Sequence, residues 1–462
     1  MASNQPNGAF RLWCERNPSE RSKLLDSAEA GDGLAREFLT FALQAANDPA
    51  RAINFIKKCP DDRRLSGMTA LGRMNYDGAA DAGKALHVLE GYVDKSNDDH
   101  DRTNALASSF SILHKHYDPT AAERLIQLAV VEPGPSLLYA IADVIWQHGK
   151  RLDAKAIVPA LTALLAIGPQ HTGTLRAIDS ALRGLLDKAH VGLVLDYLTD
   201  RLHKSDLTIS NFESTAHALA SGDRQRLYDI VVRWLLSGHI PLGNNVVELL
   251  RSSNDSAFEP TTMAPTLPPS DQLFLCHKAI GFLFLKPITC CSILVSMIRV
   301  AAKNERRQIG DLLFDPMLIN FGGAAREYAQ TIRSRDPAYK TVKAALAKSQ
   351  AYLDGLKSAG TVKELLPSDY QSDVVLQHLH DDMRAAQKLA ESKSVLLNLV
   401  RRSTILYGRR SLVHVTDPDG TQKTVEMDLK SHGTSIEFPR WEILDPVGLD
   451  LLIRIYRAEK KQ

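Results

Sequence analysis

The chain has 462 residues, 44% hydrophobic and 24% charged, and its 56 Lys and Arg against 54 Asp and Glu leave a formal net charge of +2. These proportions exclude a disordered or low-complexity chain, and the length suffices for two or three domains or one elongated array. Near-neutral charge demands no polyanionic partner, and five cysteines without a C-x-x-C pair exclude the usual disulfide framework and zinc spacing, so the expectation is a reducing, cytoplasmic setting with no cofactor and no metal.

The start, Met1-Ala2-Ser3-Asn4-Gln5-Pro6-Asn7, has neither a basic beginning nor an apolar core and does not read as a signal peptide. Residues 1–257 are expected to form an N-terminal helical array. From about residue 79 to about residue 253 one unit recurs roughly every 35 residues, and each unit reads as two apolar-striped helices. The first-helix stripes are Leu86, Leu89 and Val93; Leu125, Leu128 and Val131; Leu161, Leu164 and Ile167; Val194, Tyr197 and Leu198; Val231, Trp234 and Leu235. Their spacings place each stripe on one helix face.

One unit carries a family likeness. Ile157-Val158-Pro159-Ala160-Leu161-Thr162-Ala163-Leu164-Leu165, followed by Leu175-Arg176 and Ala181-Leu182, resembles a HEAT repeat, with Pro159 in the first helix and an alanine-leucine pattern in the second, displaced by one residue. Ala105, Ala142, Ala177 and Ala218 are further candidate second-helix alanines. The resemblance extends over about residues 60–330 as architecture and over one unit as motif. It implies an α-solenoid that serves as a scaffold for protein partners or, in some members, binds nucleic acid; it carries over no catalytic residue.

Residues 258–270 hold four prolines and read as a linker or loop, with a docking motif for a proline-recognising domain as the other reading. Further helical repeats are expected over 271–335, where the apolar stretch Leu273–Val300 is interrupted by His277, Lys278, Lys286 and Pro287 and reads as two buried helices in preference to a membrane span. Residues 336–407 are expected to form a long helical hairpin, with helices at about 338–357 and 369–404. A small α+β module is expected over 408–462. Alternating Ser411–Thr416 and Lys423–Leu429 flank the turn Asp417-Pro418-Asp419-Gly420 and predict a hairpin, a third short strand is read at Thr434–Phe438, and Asp445-Pro446 opens a terminal helix. Its stripe of Leu449, Leu452, Ile453 and Tyr456 is expected to pack on the hairpin. The whole is therefore mainly α: a HEAT-like α-solenoid, long helices and a small C-terminal module.

No phosphate-binding, nucleophile-elbow or H-E-x-x-H motif occurs. His378 and His380 point about 200° apart on a helix, so only His378 and Asp382 could share a metal locally, and a solvated face is the plainer reading; His114 and His116 share this geometry. Adjacent Cys290 and Cys291 read as small core residues. The chemical signal is basic: residues 392–416 hold Lys393, Arg401, Arg402, Arg409 and Arg410 and no acid, with Tyr407 and Gly408 between the arginine pairs. Guanidinium forks suit phosphate and carboxylate alike, and cations also settle at helix C-termini, so a polyanion, an acidic protein surface and a solvated helix end all fit. Arg299, Lys303, Arg306 and Arg307 lie at helical spacing and could extend that surface. Three functions are carried forward: a non-enzymatic scaffold that binds a protein through its solenoid and C-terminal module, without membrane contact; a nucleic-acid-binding solenoid using the 393–410 junction; and, weakest, an enzyme built from His414, His432, Glu437 and Arg440.

Overall fold

The computed structural model describes residues 5–59, 62–186, 190–204, 206–251, 253–362, 368–393, 410–416, 422–428 and 437–461, and they are mainly α-helical. They divide into two units, one of residues 1–254 with 457–462 and one of residues 255–456.

The first unit begins with α1 (Gln5–Arg16), α2 (Pro18–Ala30), α3 (Gly33–Glu37), α4 (Leu39–Ala46), α5 (Pro49–Lys58) and α6 (Asp62–Arg73). Then come α7 (Ala79–Lys95) with α8 (Asp99–Lys115), α9 (Pro119–Ala129) with α10 (Pro135–His148), α11 (Ala154–Leu164) with α12 (Thr172–Leu186), α13 (Val191–His203) with α14 (Glu213–Ser221), and α15 (Arg224–Leu236) with α16 (Ile240–Leu249). The starts are chemically marked. Asp98, Asp118, Asp153 and Asp223 each accept a hydrogen bond from a first-turn N–H, and Pro119 and Pro135 open their helices. First helices pack on first helices, α7 on α9 and α9 on α11, while second helices pack on second helices from α6 through α8, α10 and α12 to α14.

The five stripes are buried where the helices run, apart from Leu128 in α9, which is half-buried. Leu89, Val93, Leu164, Val194, Leu198, Val231 and Trp234 have no exposure, and Trp234 also donates from Nε1 to Thr199 Oγ1 at 3.0 Å. Val131 departs from its stripe: α9 ends at Ala129, and Val131 lies beyond it, 60% exposed. Pro159 sits inside α11, and Ala105, Ala142 and Ala177 are buried.

Side chains also join the pairs through helix ends, where backbone groups lack partners within the helix. Asp99 accepts from Ser136 N–H at 2.8 Å, and Asp179 accepts from Ser214 N–H at 2.9 Å and from Thr215 N–H at 2.8 Å. Gly134 allows the first approach, since a Cβ there would lie 2.4 Å from the Asp99 carboxyl. Arginines serve the opposite ends. Arg102 donates to the carbonyls of Val93, Leu128, Val131 and Glu132, Arg201 to Ile167 O at 2.7 Å, and Arg226 to Leu186 O at 2.6 Å. A cation at a helix C-terminus also complements the helix dipole.

The second unit is centred on α17 (Pro269–Leu283) and α18 (Pro287–Val300), followed by α19 (Lys303–Leu312), α20 (Ala324–Gln330), α21 (Tyr339–Ala359) and α22 (Asp369–Lys393). Cys276, Cys290 and Cys291 are fully buried between apolar side chains, and burial pushes all three thiols well above their ordinary range. No helix among the described residues is long and apolar enough to cross a membrane. The proline-rich segment is tied down: Phe258 is buried, with its N–H on Ser292 Oγ at 2.7 Å, and Asp255 accepts from Ile288 and Thr289 N–H at 2.9 and 2.8 Å.

The backbone of Arg410–Thr416 pairs antiparallel with Gln422–Asp428, Val413 opposite Val425. Glu437 and Phe438 are not in a strand, and residues 434–436 lie outside the described residues. The terminal helix Pro446–Ala458 docks on the helical block instead: the Glu437 carboxylate accepts from Gly323 N–H at 2.6 Å and Ala324 N–H at 2.9 Å, Arg440 donates to Ile319 O at 2.7 Å, and Trp441 N–H to Asn320 Oδ1 at 2.8 Å. Leu449 is 2% exposed and the Tyr456 ring stacks on His277 at 4.7 Å between centroids. Residues 319–324 thus supply the hydrogen bonds and His277 the ring against which this terminal segment rests.

Candidate functional site

A cleft of about 570 Å³ opens between α19 and α21. On α19, Lys303, Arg306, Arg307 and Gly310 recur at i, i+3, i+4 and i+7 and face it, while Ile309 turns to the core. On α21 the lining is Lys340, Thr341, Ala344, Ala345 and Lys348. Gly310 permits the close approach of the two helices, since a Cβ there would lie 2.5 Å from Thr341 Cγ2. Small residues thus form part of the wall and cations the remainder.

Five cations and one carboxylate, Asp311, line the cleft. Lys348 is committed: its Nζ lies 2.6 Å from Asp311 Oδ1 and over the Phe314 ring. Arg306 donates from Nη2 to Ala301 O at 2.9 Å, but its Nε is buried with no hydrogen-bond partner among the described residues. Lys303, Arg307 and Lys340 are exposed and form no ion pair among the described residues. Such a concentration of positive charge raises the local potential and attracts anions.

The predicted basic residues separate into three groups. Lys303, Arg306 and Arg307 meet in the cleft. Arg299 does not join them: it is held between Glu259 at 3.1 Å and Asp336 at 3.0 Å, and Tyr328 donates its hydroxyl to Glu259 at 3.0 Å. Burial alone would raise the Asp336 carboxyl, but hydrogen bonds from Arg299 and from Ala338 N–H outweigh it and hold the group below its ordinary value. Arg299 is therefore a cross-link from α18 to the proline-rich segment and to the start of α21. Of the 393–410 junction, Arg401, Arg402 and Arg409 lie outside the described residues, Lys393 ends α22 and Arg410 begins a strand.

Two members of the proposed acid/base cluster have other partners. Glu437 and Arg440 are spent on backbone groups of residues 319–324, His414 lies in the first strand, and His432 is outside the described residues. His378 and Asp382 are exposed on α22, and no group of three or more metal-capable side chains converges among the described residues.

A second feature escaped the sequence reading. On α10, Tyr139 and Trp146 are 47% and 55% exposed and seven positions apart, and on its packed neighbour α12 Arg176 and Arg183 are exposed at the same spacing. Large aromatics at positions where a half-buried helix normally carries polar residues were the available signal. Lys340 and Lys348 gave none, because only the packing of α21 on α19 brings them to the cleft.

Comparison with family models, with curated proteins and with solved structures finds no match for the chain.

Proposed function

We propose that this protein is a non-enzymatic interaction scaffold, a HEAT-like array working in the cytoplasm, that seats a protein partner on the second-helix face of its first unit. The observation that carries the reading is the exposed pair Tyr139 and Trp146 beside Arg176 and Arg183 on consecutive stacked second helices. Tryptophan, tyrosine and arginine are the residues that most often dominate binding energy at interfaces, and stacked helix pairs present them on one rigid surface. The buried, unpaired cysteines favour a reducing compartment.

The terminal helix offers a second contact. While Leu449 faces the helical block, Val447, Leu451 and Ile455 remain 77%, 58% and 54% exposed at i, i+4 and i+8. The nucleic-acid reading draws support from the basic cleft, but its cations lie on two helices only, whereas a nucleic-acid backbone asks for a continued track of cations.

The test is quantitative capture from cells that make the protein, comparing the intact chain with a Tyr139→Ser, Trp146→Ser variant. Because both side chains are already exposed, the variant should keep its helical circular dichroism and its melting temperature while losing most of one protein partner. An unchanged partner profile would refute the reading.

A further inference from the structure

We infer that the cleft between α19 and α21 is a receptor for a phosphate group carried on a side chain of a partner protein. The inference rests on the scaffold reading for the protein nature of the ligand, while the phosphate preference stands on the cleft alone.

Three observations lead there. The lining places guanidinium and ammonium groups on both helices, Lys303, Arg306 and Arg307 opposite Lys340, and the single carboxylate present is already neutralised by Lys348. A phosphate monoester brings nearly two negative charges and three acceptor oxygens, and so can satisfy several of these donors at once; a carboxylate brings one charge and two oxygens. Arg306, which lines the cleft, is preoriented: its Nη2 is fixed on Ala301 O, which holds the guanidinium in place. Finally, the walls between the cations are Gly310, Ala344 and Ala345, so a compact tetrahedral group can reach the donors without displacing bulky side chains.

The number of cations decides between phosphate sources. The cleft is bounded by the Asp311–Lys348 pair, and Glu305 lies within the same helix as the cations. Lys303, Arg306, Arg307 and Lys340 form a short set that matches one phosphorylated side chain, whereas a polymer with a phosphate at every residue needs a continued track of cations.

The full chain is titrated into a fluorescent, otherwise neutral short peptide bearing one phosphoserine, its unphosphorylated twin, and a single-stranded oligothymidylate of similar length, and anisotropy is read. The phosphopeptide should bind at least about tenfold more tightly than its twin, a margin that one charge-assisted contact supplies. Inorganic phosphate should compete. Arg307→Glu with Lys340→Glu should abolish the preference, and Arg306→Lys, which keeps the charge but removes the fork, should weaken it; Lys155→Glu, on the exposed surface of α11, should not change it. Circular dichroism checks that each variant is folded. Equal binding of the two peptides, a preference that survives the double charge reversal, or tighter binding of the oligonucleotide would each overturn the inference. The probe is defined, so this outcome is independent of the capture experiment: a phosphopeptide preference beside an unchanged capture profile of the Tyr139→Ser, Trp146→Ser variant marks failure of the scaffold reading alone, and equal binding of the two peptides marks failure of the phosphate site.

Discussion

Replacing Asp179 by alanine tests whether side-chain bonds between helix pairs hold the first unit together. Asp179 is 7% exposed on α12 and accepts from Ser214 N–H, Thr215 N–H and Thr215 Oγ1, the last at 2.7 Å. In Asp179→Ala the Thr215 hydroxyl keeps an acceptor, because the Asp179 carbonyl lies 3.0 Å away. The two backbone donors do not. Ser214 N–H is only part-buried, and its loss resembles that of a helix cap, about 0.5–2 kcal/mol. Thr215 N–H is buried, and an orphaned buried donor costs about 1–3 kcal/mol. The expected loss is about 2–4 kcal/mol, read by urea unfolding followed at 222 nm, against about half as much for Asp179→Asn, which keeps one acceptor oxygen. In a double-mutant cycle with Thr215→Val, the two changes should couple by about 0.5–3 kcal/mol. A loss below about 0.5 kcal/mol for alanine would show that apolar packing alone joins these pairs.

The pH dependence follows from His148, 7% exposed with its ring 5.3 Å from that of Phe110 and 5.7 Å from that of His114. Burial, then His114 and Arg151, lower its pKa from the ordinary 6.5, so its contribution to stability is complete above that value and declines as pH falls below it. Urea unfolding at neutral and mildly acidic pH should show this decline, and His148→Phe should reduce it; equal pH slopes would refute the assignment. In the second unit, Glu437→Ala with Arg440→Ala should lower stability by about 1–3 kcal/mol, since charge-assisted bonds are lost at a partly exposed site, and should speed hydrogen exchange at Gly323 and Ala324. Unchanged exchange at those two amides would mean that the terminal segment does not hold them.

Helix pairs were legible because burying one face of a short helix forces an apolar stripe with helical period, and the five stripes needed no knowledge of what they pack against. The one slip, Val131, arose because the stripe was extended past the last turn of α9 into a corner whose carbonyls bind Arg102. What was not legible depends on partners distant in sequence. Nothing local to Arg299 reveals that Glu259 and Asp336 converge on it, and nothing local to Lys340 reveals that it faces Arg307 across a cleft. The terminal helix was placed on the hairpin because the two adjoin in sequence; its amphipathic stripe was read correctly as a docking face, but a stripe does not specify the surface it meets.

The bonds that join successive helix pairs connect residues about one repeat apart, whereas Glu437 and Arg440 reach partners 114 and 121 positions away. This difference orders events during synthesis. The early helices can close their joints as soon as the next pair leaves the ribosome, because each joint closes a short loop at small entropic cost. The carbonyl of Ile319, the side-chain amide of Asn320 and the N–H groups at the start of α20 must wait through the synthesis of more than a hundred further residues, and until then those groups are available to chaperones or to a neighbouring chain. A ribosome stalled before Glu437 would therefore hold residues 1–254 with their joints closed and a second unit with its last seam open.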